Sequence, residues 1–81
     1  MIKILIVDDH AILRAGIRAL LELHENFNVI GEAADGSEAL EILKSHSPDV
    51  VLMDMNMPGM DGVVTTKKIR EIFNPYVRVR K

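Results

Sequence analysis

The chain contains no cysteine in 81 residues. That excludes disulfides, thiolate metal sites and a cysteine nucleophile, and it fits a cytoplasmic protein. No apolar run approaches the ~20 residues that a membrane span requires. Lys3 leads directly into an apolar strand-like run instead of a signal peptide. Neither sign of charge is in surplus. Ten Lys and Arg stand against twelve Asp and Glu, for a net charge of −2. There is then no global electrostatic attraction to nucleic acid or to an anionic membrane. Repeats, linkers and low-complexity segments are also missing. What is present is 48% hydrophobic and 27% charged, the balance of a folded soluble chain. The length suits one small domain, which buries only about 60% of its unfolded surface.

The segment Pro48-Asp49-Val50-Val51-Leu52-Met53-Asp54 organises the rest. Val50 to Met53 are continuously apolar, as expected of a strand buried on both faces of a parallel sheet. The run stops at a carboxylate, Asp54. Pro58-Gly59 then forces a turn, and Asp61-Gly62 reads as the entry to a helix. A second buried run, Ile4 to Val7, also ends in acid, at Asp8-Asp9. Acids at the carboxyl ends of buried parallel strands lie where open α/β sheets place their ligands.

In order, the pattern alternates strand and helix. Lys3 to Val7 is the first strand. From Ala11 to about Leu23, the residues Ile12, Leu13, Ile17, Leu20, Leu21 and Leu23 recur near helical spacing, with Arg14, Arg18 and Glu22 on another face. Asp9 is placed either to cap this helix or to bind a ligand. A turn at Asn26 to Asn28 precedes a weaker strand, Val29 to Ala33. Asp35-Gly36-Ser37-Glu38 resembles a capping box opening a second helix, whose apolar side is Ala39, Leu40, Ile42 and Leu43. After the third strand comes a helix from about Gly62 to Phe73, stopped by Asn74-Pro75. Tyr76 to Lys81 alternates strictly and reads as a half-exposed fourth strand.

This order predicts an α/β, flavodoxin-like, doubly wound parallel sheet with right-handed crossovers, an incomplete (βα)3β. The two most apolar strands belong in the centre, giving the order 2-1-3-4. The first helix then lies on one face and the second and third on the other. Winding reverses between strands one and three, so Asp8, Asp9 and Asp54 converge on one crevice. Two such charges ~4 Å apart repel by about 4 kcal/mol at an effective dielectric of 20. The crevice therefore calls for a cation or a proton, and neither motif contains a lysine or arginine. Hard carboxylate oxygens in an incomplete cage suit Mg²⁺. A carboxylate beside such an ion is also suited to accept a phosphoryl group. His10 reads as a polar residue in the first helical turn, and the methionines Met53, Met55, Met57 and Met60 as packing, not soft-metal ligands. His24 and His46 read as solvated, and Lys67-Lys68 as a wet helix face. Arg78, Arg80 and Lys81 read as protection of an exposed sheet edge.

Asp8-Asp9-His10, Gly31-Glu32-Ala33-Ala34-Asp35-Gly36 and Met53-Asp54-Met55-Asn56-Met57-Pro58-Gly59-Met60-Asp61-Gly62 together resemble the receiver domain of bacterial two-component response regulators. The run from Asp8 to Arg18 is similar to the subgroup with a LuxR-type helix-turn-helix output domain. The resemblance implies that Asp54 is the phosphoryl acceptor and that Asp9 and Asp54 ligate Mg²⁺ directly. Asp8 would act largely through water, and Asn56 would lend its backbone carbonyl. It also implies a signalling module, not an enzyme, served by a sensor histidine kinase or a small phosphodonor.

Receivers continue with two more strand–helix units, carrying a hydroxyl after the fourth strand and a lysine after the fifth. Residues 1–81 thus read as a single truncated receiver domain with no output domain. Impaired phosphotransfer is expected, since losing one preorganised electrostatic partner costs about 10²–10³ in rate. The alternative function is a non-phosphorylated scaffold fragment that dimerises through an uncovered sheet face beside the first helix, near Ile4, Ile6, Val51 and Met53. A homodimer is expected, joined through the helix-one face, strand four, or both, with no membrane and no direct nucleic-acid contact. A phosphohydrolase fits less well, because Asp8-Asp9 lacks the DxD spacing such enzymes use.

Overall fold

Register between β-strands decides where the acids meet. The computed structural model describes residues 1–54, Lys67 and 76–80. Among these lie β1 (Ile2–Val7), α1 (Ala11–Glu22), β2 (Phe27–Ala33), α2 (Gly36–Leu43), β3 (Val50–Asp54) and β4 (Tyr76–Arg80). The strands form one sheet in the order β2-β1-β3-β4, and every pairing is parallel. The order is the expected one, with the continuously apolar strands β1 and β3 inside. The first and second strands begin earlier than their apolar patterns suggested, at Ile2 and Phe27.

The two faces of the sheet carry separate cores. Leu5, Val7, Val51 and Met53 pack with Ala33 and with Ala39 and Leu43 of α2. On the opposite face Ile4, Ile6 and Val29 pack with half-buried Ile17 and Leu21 of α1, and with Val50 and Leu52. One strand supplies both faces by simple alternation, which is why Ile4 to Val7 reads as unbroken apolar sequence. The placement of α1 and α2 on opposite faces is as expected of a doubly wound sheet.

Helix α2 begins as its sequence indicates. Asp35 is its N-cap in an extended conformation, and its carboxylate accepts the Glu38 N–H at 2.8 Å. Gly31 of β2 lies under this helix, where a side chain would just reach its neighbours. A Cβ there would stand 3.4 Å from Ile42 Cγ2 and 3.4 Å from Leu5 Cδ1.

Two features depart from the sequence pattern. First, β2 contains a bulge. Ile4 pairs with Val29, but Leu5 pairs with Gly31, so Ile30 is the extra residue. Beyond it the alternation of β2 is inverted, so Glu32, level with Ile6, shares the α1 face, and Ala33, level with Val7, joins the α2 core. Second, among the described residues past Ile2 the exposed large apolar side chains lie on α1 and at its end, while Val50 and Leu52 on the same face of the sheet are half-buried. Ile4, Ile6, Val51 and Met53, expected beside an open face, are all buried. Ile12, Leu13, Leu20 and Leu23 of α1 and the residue after it are exposed, Ile12 to 90%. The apolar stripe of α1 is wider than the sheet surface it covers.

Asn56, the Pro58-Gly59 turn, Met55, Met57, Met60, Asp61-Gly62, the expected helix from Gly62 to Phe73 with its Asn74-Pro75 stop, Lys68 and Lys81 lie outside the described residues. So do the side-chain directions of Asp54, Val77, Arg78, Val79 and Arg80. Lys67 is helical and exposed, and His24 and His46 are exposed. No helix among the described residues is long and apolar enough to cross a membrane.

Candidate metal and phosphoryl-acceptor site

The crevice is set by how β1 and β3 are aligned. Asp49 accepts the Lys3 N–H on Oδ2 at 2.8 Å, and its own N–H donates to the Lys3 carbonyl at 2.8 Å. From that start Ile4 pairs with Val50 and, three residues on, Val7 pairs with Met53. Each strand then delivers an aspartate at the same level: Asp8 follows Val7, and Asp54 is the last residue of β3. Asp8 continues the β1 ladder for one more bond, donating its N–H to the Ala33 carbonyl at 3.0 Å.

Past Asp8 the chain turns into α1 through an Asx-type turn. Asp8 Oδ1 accepts the His10 N–H at 2.8 Å and lies 3.0 Å from His10 Nδ1. Asp8 is buried, at 1% exposure, while the Asp9 side chain is 26% exposed and opens toward solvent. The capping role considered for Asp9 is not realised. His10 occupies the N-cap, in an extended conformation and without a side-chain capping bond. The physical reason is the Asx turn, which commits the carboxylate of Asp8 to the His10 amide and places the N-cap one residue past Asp9.

His10 is also closer to the acids than its reading as a first-turn polar residue implied. Its Nδ1 is 3.0 Å from Asp8 Oδ1 and 3.0 Å from Asp9 Oδ1. One ring nitrogen carries at most one proton, and the aligned contact is the one to Asp8. Buried Asp9 Oδ1 accepts no hydrogen bond among the described residues. Asp8, Asp9 and His10 each bring a ligand-type atom within 4.8 Å of the others. Hard carboxylate oxygens, one of them buried and accepting no hydrogen bond among the described residues, fit an oxygen-seeking cation such as Mg²⁺.

Behind this loop is an ion cluster that the sequence pattern did not reveal. Arg14 Nε donates to Glu32 Oε1 at 3.0 Å and Arg14 Nη1 to the Asp8 backbone carbonyl at 2.6 Å. Arg18 Nη1 donates to Glu32 Oε2 at 2.5 Å and Arg18 Nε to Glu22 Oε1 at 2.7 Å. Hydrogen bonding from Arg18 first, and then from Arg14, holds the Glu32 carboxyl below its ordinary range despite the opposing effect of burial. Glu22 and Glu32 together raise the Arg18 guanidinium above its ordinary value. Arg14 and Arg18, expected on a separate polar face, instead fasten α1 to β2. The absence of a cation from the two acid motifs is thus only local. Arg14 reaches the backbone of Asp8, though not its carboxylate. The signal available in the sequence was the spacing of Arg14 and Arg18 one helical turn apart. Their common partner depends on the β2 bulge.

A doubly wound parallel sheet with acids at the carboxyl ends of its two central strands defines a ligand-binding α/β module of the switch-point type. Residues 4–79 match the response regulator receiver domain, and the chain belongs to that family. It is 49% identical over 80 residues to the transcriptional regulatory protein LiaR of Bacillus subtilis, covering 98% of this chain and 38% of LiaR. Among solved structures it resembles the signal receiver domain of the response regulator NarL from Mycobacterium tuberculosis. That likeness has a TM-score of 0.83 and 42% identity, over 96% of this chain and 62% of the other. It also resembles RcsB from Salmonella enterica serovar Typhimurium, bound to promoter rprA in the presence of phosphomimetic BeF3⁻. There the TM-score is 0.85 and the identity 33%, over 98% of this chain and 66% of the solved chain. The family is one of two-component signalling, and the relatives named are regulators, not enzymes.

Proposed function

We propose that this chain accepts a phosphoryl group on Asp54, assisted by Mg²⁺ held by Asp8, Asp9, Asp54 and the backbone carbonyl of Asn56. The observation that carries this reading is the β1–β3 register, in which Val7 pairs with Met53 and an aspartate follows each. Asp9 faces the crevice with an oxygen that accepts no hydrogen bond among the described residues, which suits a direct ligand. Asp8 is buried and already receives the His10 amide, which suits a contact through water. When bound, Mg²⁺ offsets the negative charge on the phosphoryl oxygens.

The acceptor's part is a displacement. A carboxylate oxygen of Asp54 attacks phosphorus in line, a P–O bond forms, and the bond from phosphorus to the donor breaks. The leaving electron pair departs with the imidazole of a sensor kinase's phosphohistidine, which takes up a proton, or with the carboxylate of a small acyl phosphate. The product is an acyl phosphate on Asp54. A cytoplasmic location belongs to the same reading, as does self-association. A second copy would cover the exposed apolar residues Ile12, Leu13, Leu20 and Leu23, since contiguous apolar surface marks contact sites.

The test is incubation with acetyl phosphate and Mg²⁺ followed by intact-mass measurement. One added phosphoryl group is expected, lost in Asp54→Asn and on chelation of the metal. Labelling that persists in Asp54→Asn would sink the assignment of the acceptor.

A further inference from the structure

We propose that Arg14 is a positioning residue for the acid cluster, orienting Asp9 through the backbone of Asp8. This rests on the reading of the crevice as a Mg²⁺ site. The Asp8–Asp9 peptide is a rigid plane, so fixing its carbonyl fixes the direction in which Asp9 leaves the strand. Arg14 Nη1 holds that carbonyl at 2.6 Å. On the other side of Asp8, its N–H is held by the Ala33 carbonyl at 3.0 Å. Asp8 is therefore gripped at both backbone polar groups, and one of the two grips comes from a side chain.

The guanidinium is itself anchored. Its Nε donates to Glu32 at 3.0 Å, and its side chain is only 19% exposed. Glu32 is on the α1 face because the bulge at Ile30 inverts the alternation of β2. A planar fork that serves a carboxylate with one nitrogen and a carbonyl with another has little freedom left. Helix α1, strand β2 and the loop bearing Asp8, Asp9 and His10 thus meet at one side chain. Arg18 shares the Glu32 anchor, but its bonds go to Glu32 and Glu22 and not to the loop.

The sign of the effect separates this role from simple electrostatics. A cation near a divalent-metal site opposes metal binding, so deleting its charge alone would tighten binding. Deleting a positioning group loosens it. Outer-shell partners of metal ligands are typically worth about 10–100-fold in metal affinity.

The experiment is a titration of the 81-residue chain with MgCl₂, followed by the NMR shift of the His10 amide, beside thermal melts of the same proteins. The proteins compared are the unaltered chain, Arg14→Ala, Arg18→Ala and Arg14→Lys. Both alanine variants are expected to melt earlier, since each strips Glu32 of a partner. Only Arg14→Ala is expected to bind Mg²⁺ about tenfold more weakly. Arg14→Lys keeps the charge without the fork, so weaker binding there is geometric, and it replaces the alanine variant if that fails to fold. Binding by Arg14→Ala that equals or exceeds the unaltered chain overturns the proposal, as does equal weakening in Arg18→Ala. Unchanged binding in Arg14→Lys overturns the need for a fork. An unaltered chain that binds no Mg²⁺ removes the metal-site reading and this inference together.

Discussion

Lys3 and Asp49 exchange two hydrogen bonds at the start of the central strand pair, one of them through the Asp49 carboxylate. They lie far from the acids, yet they begin the register that brings Val7 level with Met53. A shift of one residue would turn every β3 side chain to the opposite face.

Asp49→Ala removes the side-chain half of that exchange and leaves the backbone half. The expected loss is about 0.5–1.5 kcal/mol, the net worth of one exposed-end hydrogen bond. Urea unfolding should show a lower midpoint with an unchanged slope. A loss well above that range would mean that the carboxylate defends the register itself.

Mg²⁺ should stabilise the fold by RT ln(1 + [Mg²⁺]/Kd), about 2.7 kcal/mol at a hundredfold excess over Kd. Thermal melts with and without millimolar Mg²⁺ read this directly. Asp9→Ala should respond far less than the unaltered chain. Equal shifts in the two proteins would show that Asp9 is not a ligand.

Glu32 makes stability sensitive to acid. Its folded carboxyl is held below the ordinary value of 4.5, chiefly by the hydrogen bond from Arg18. A depressed carboxyl stabilises the fold fully above its unfolded pKa, and that contribution fades as pH falls through the lower folded value. Melting temperature should therefore drop on acidification below about pH 4.5. Glu32→Gln should be less stable near neutrality and should lose less on acidification. Parallel pH profiles for the two proteins would remove Glu32 as a source of the acid sensitivity.

Self-association should depend on α1. Light scattering at micromolar concentration is expected to give twice the monomer mass, and Leu20→Glu to return it to the monomer. Because Leu20 is 66% exposed, its replacement should leave the melting temperature of the monomer nearly unchanged. A monomer in the unaltered chain would mean that these residues are tolerated in water.

What could be read from the sequence was local or periodic. Ile4 to Val7 and Val50 to Met53 announce buried strands by being apolar at every position, and Asp35 announces its helix three residues ahead of the amide it caps. The order of strands followed from which two were most apolar. The bulge at Ile30 left no such trace, because one extra residue in a ladder changes pairing without changing composition. Hidden with it was the Arg14–Glu32–Arg18 cluster, which joins residues 14 to 18 apart in sequence. The helix start at Ala11 was legible, but its N-cap, His10 in place of Asp9, was not, for a related reason. Asp8 and Asp9 are equally good capping types, and only the geometry of the turn decides which amide receives a carboxylate.

The bulge also determines which changes of length the protein can survive. Upstream of Ile30, Phe27 and Asn28 stand at the open end of β2, where a residue gained or lost alters only where pairing begins. Excising Ile30 would put Val29 directly before Gly31 and leave every later pair with β1 as it is, Glu32 level with Ile6 and Ala33 level with Val7. The bulge is therefore a spare residue, and one deletion there is absorbed with the brace behind the acidic loop intact. A second deletion has no bulge left to absorb it. It would bring Glu32 level with Leu5 and drive a carboxylate among Leu5, Val7 and Leu43. In this stretch the count of residues matters more than their kind.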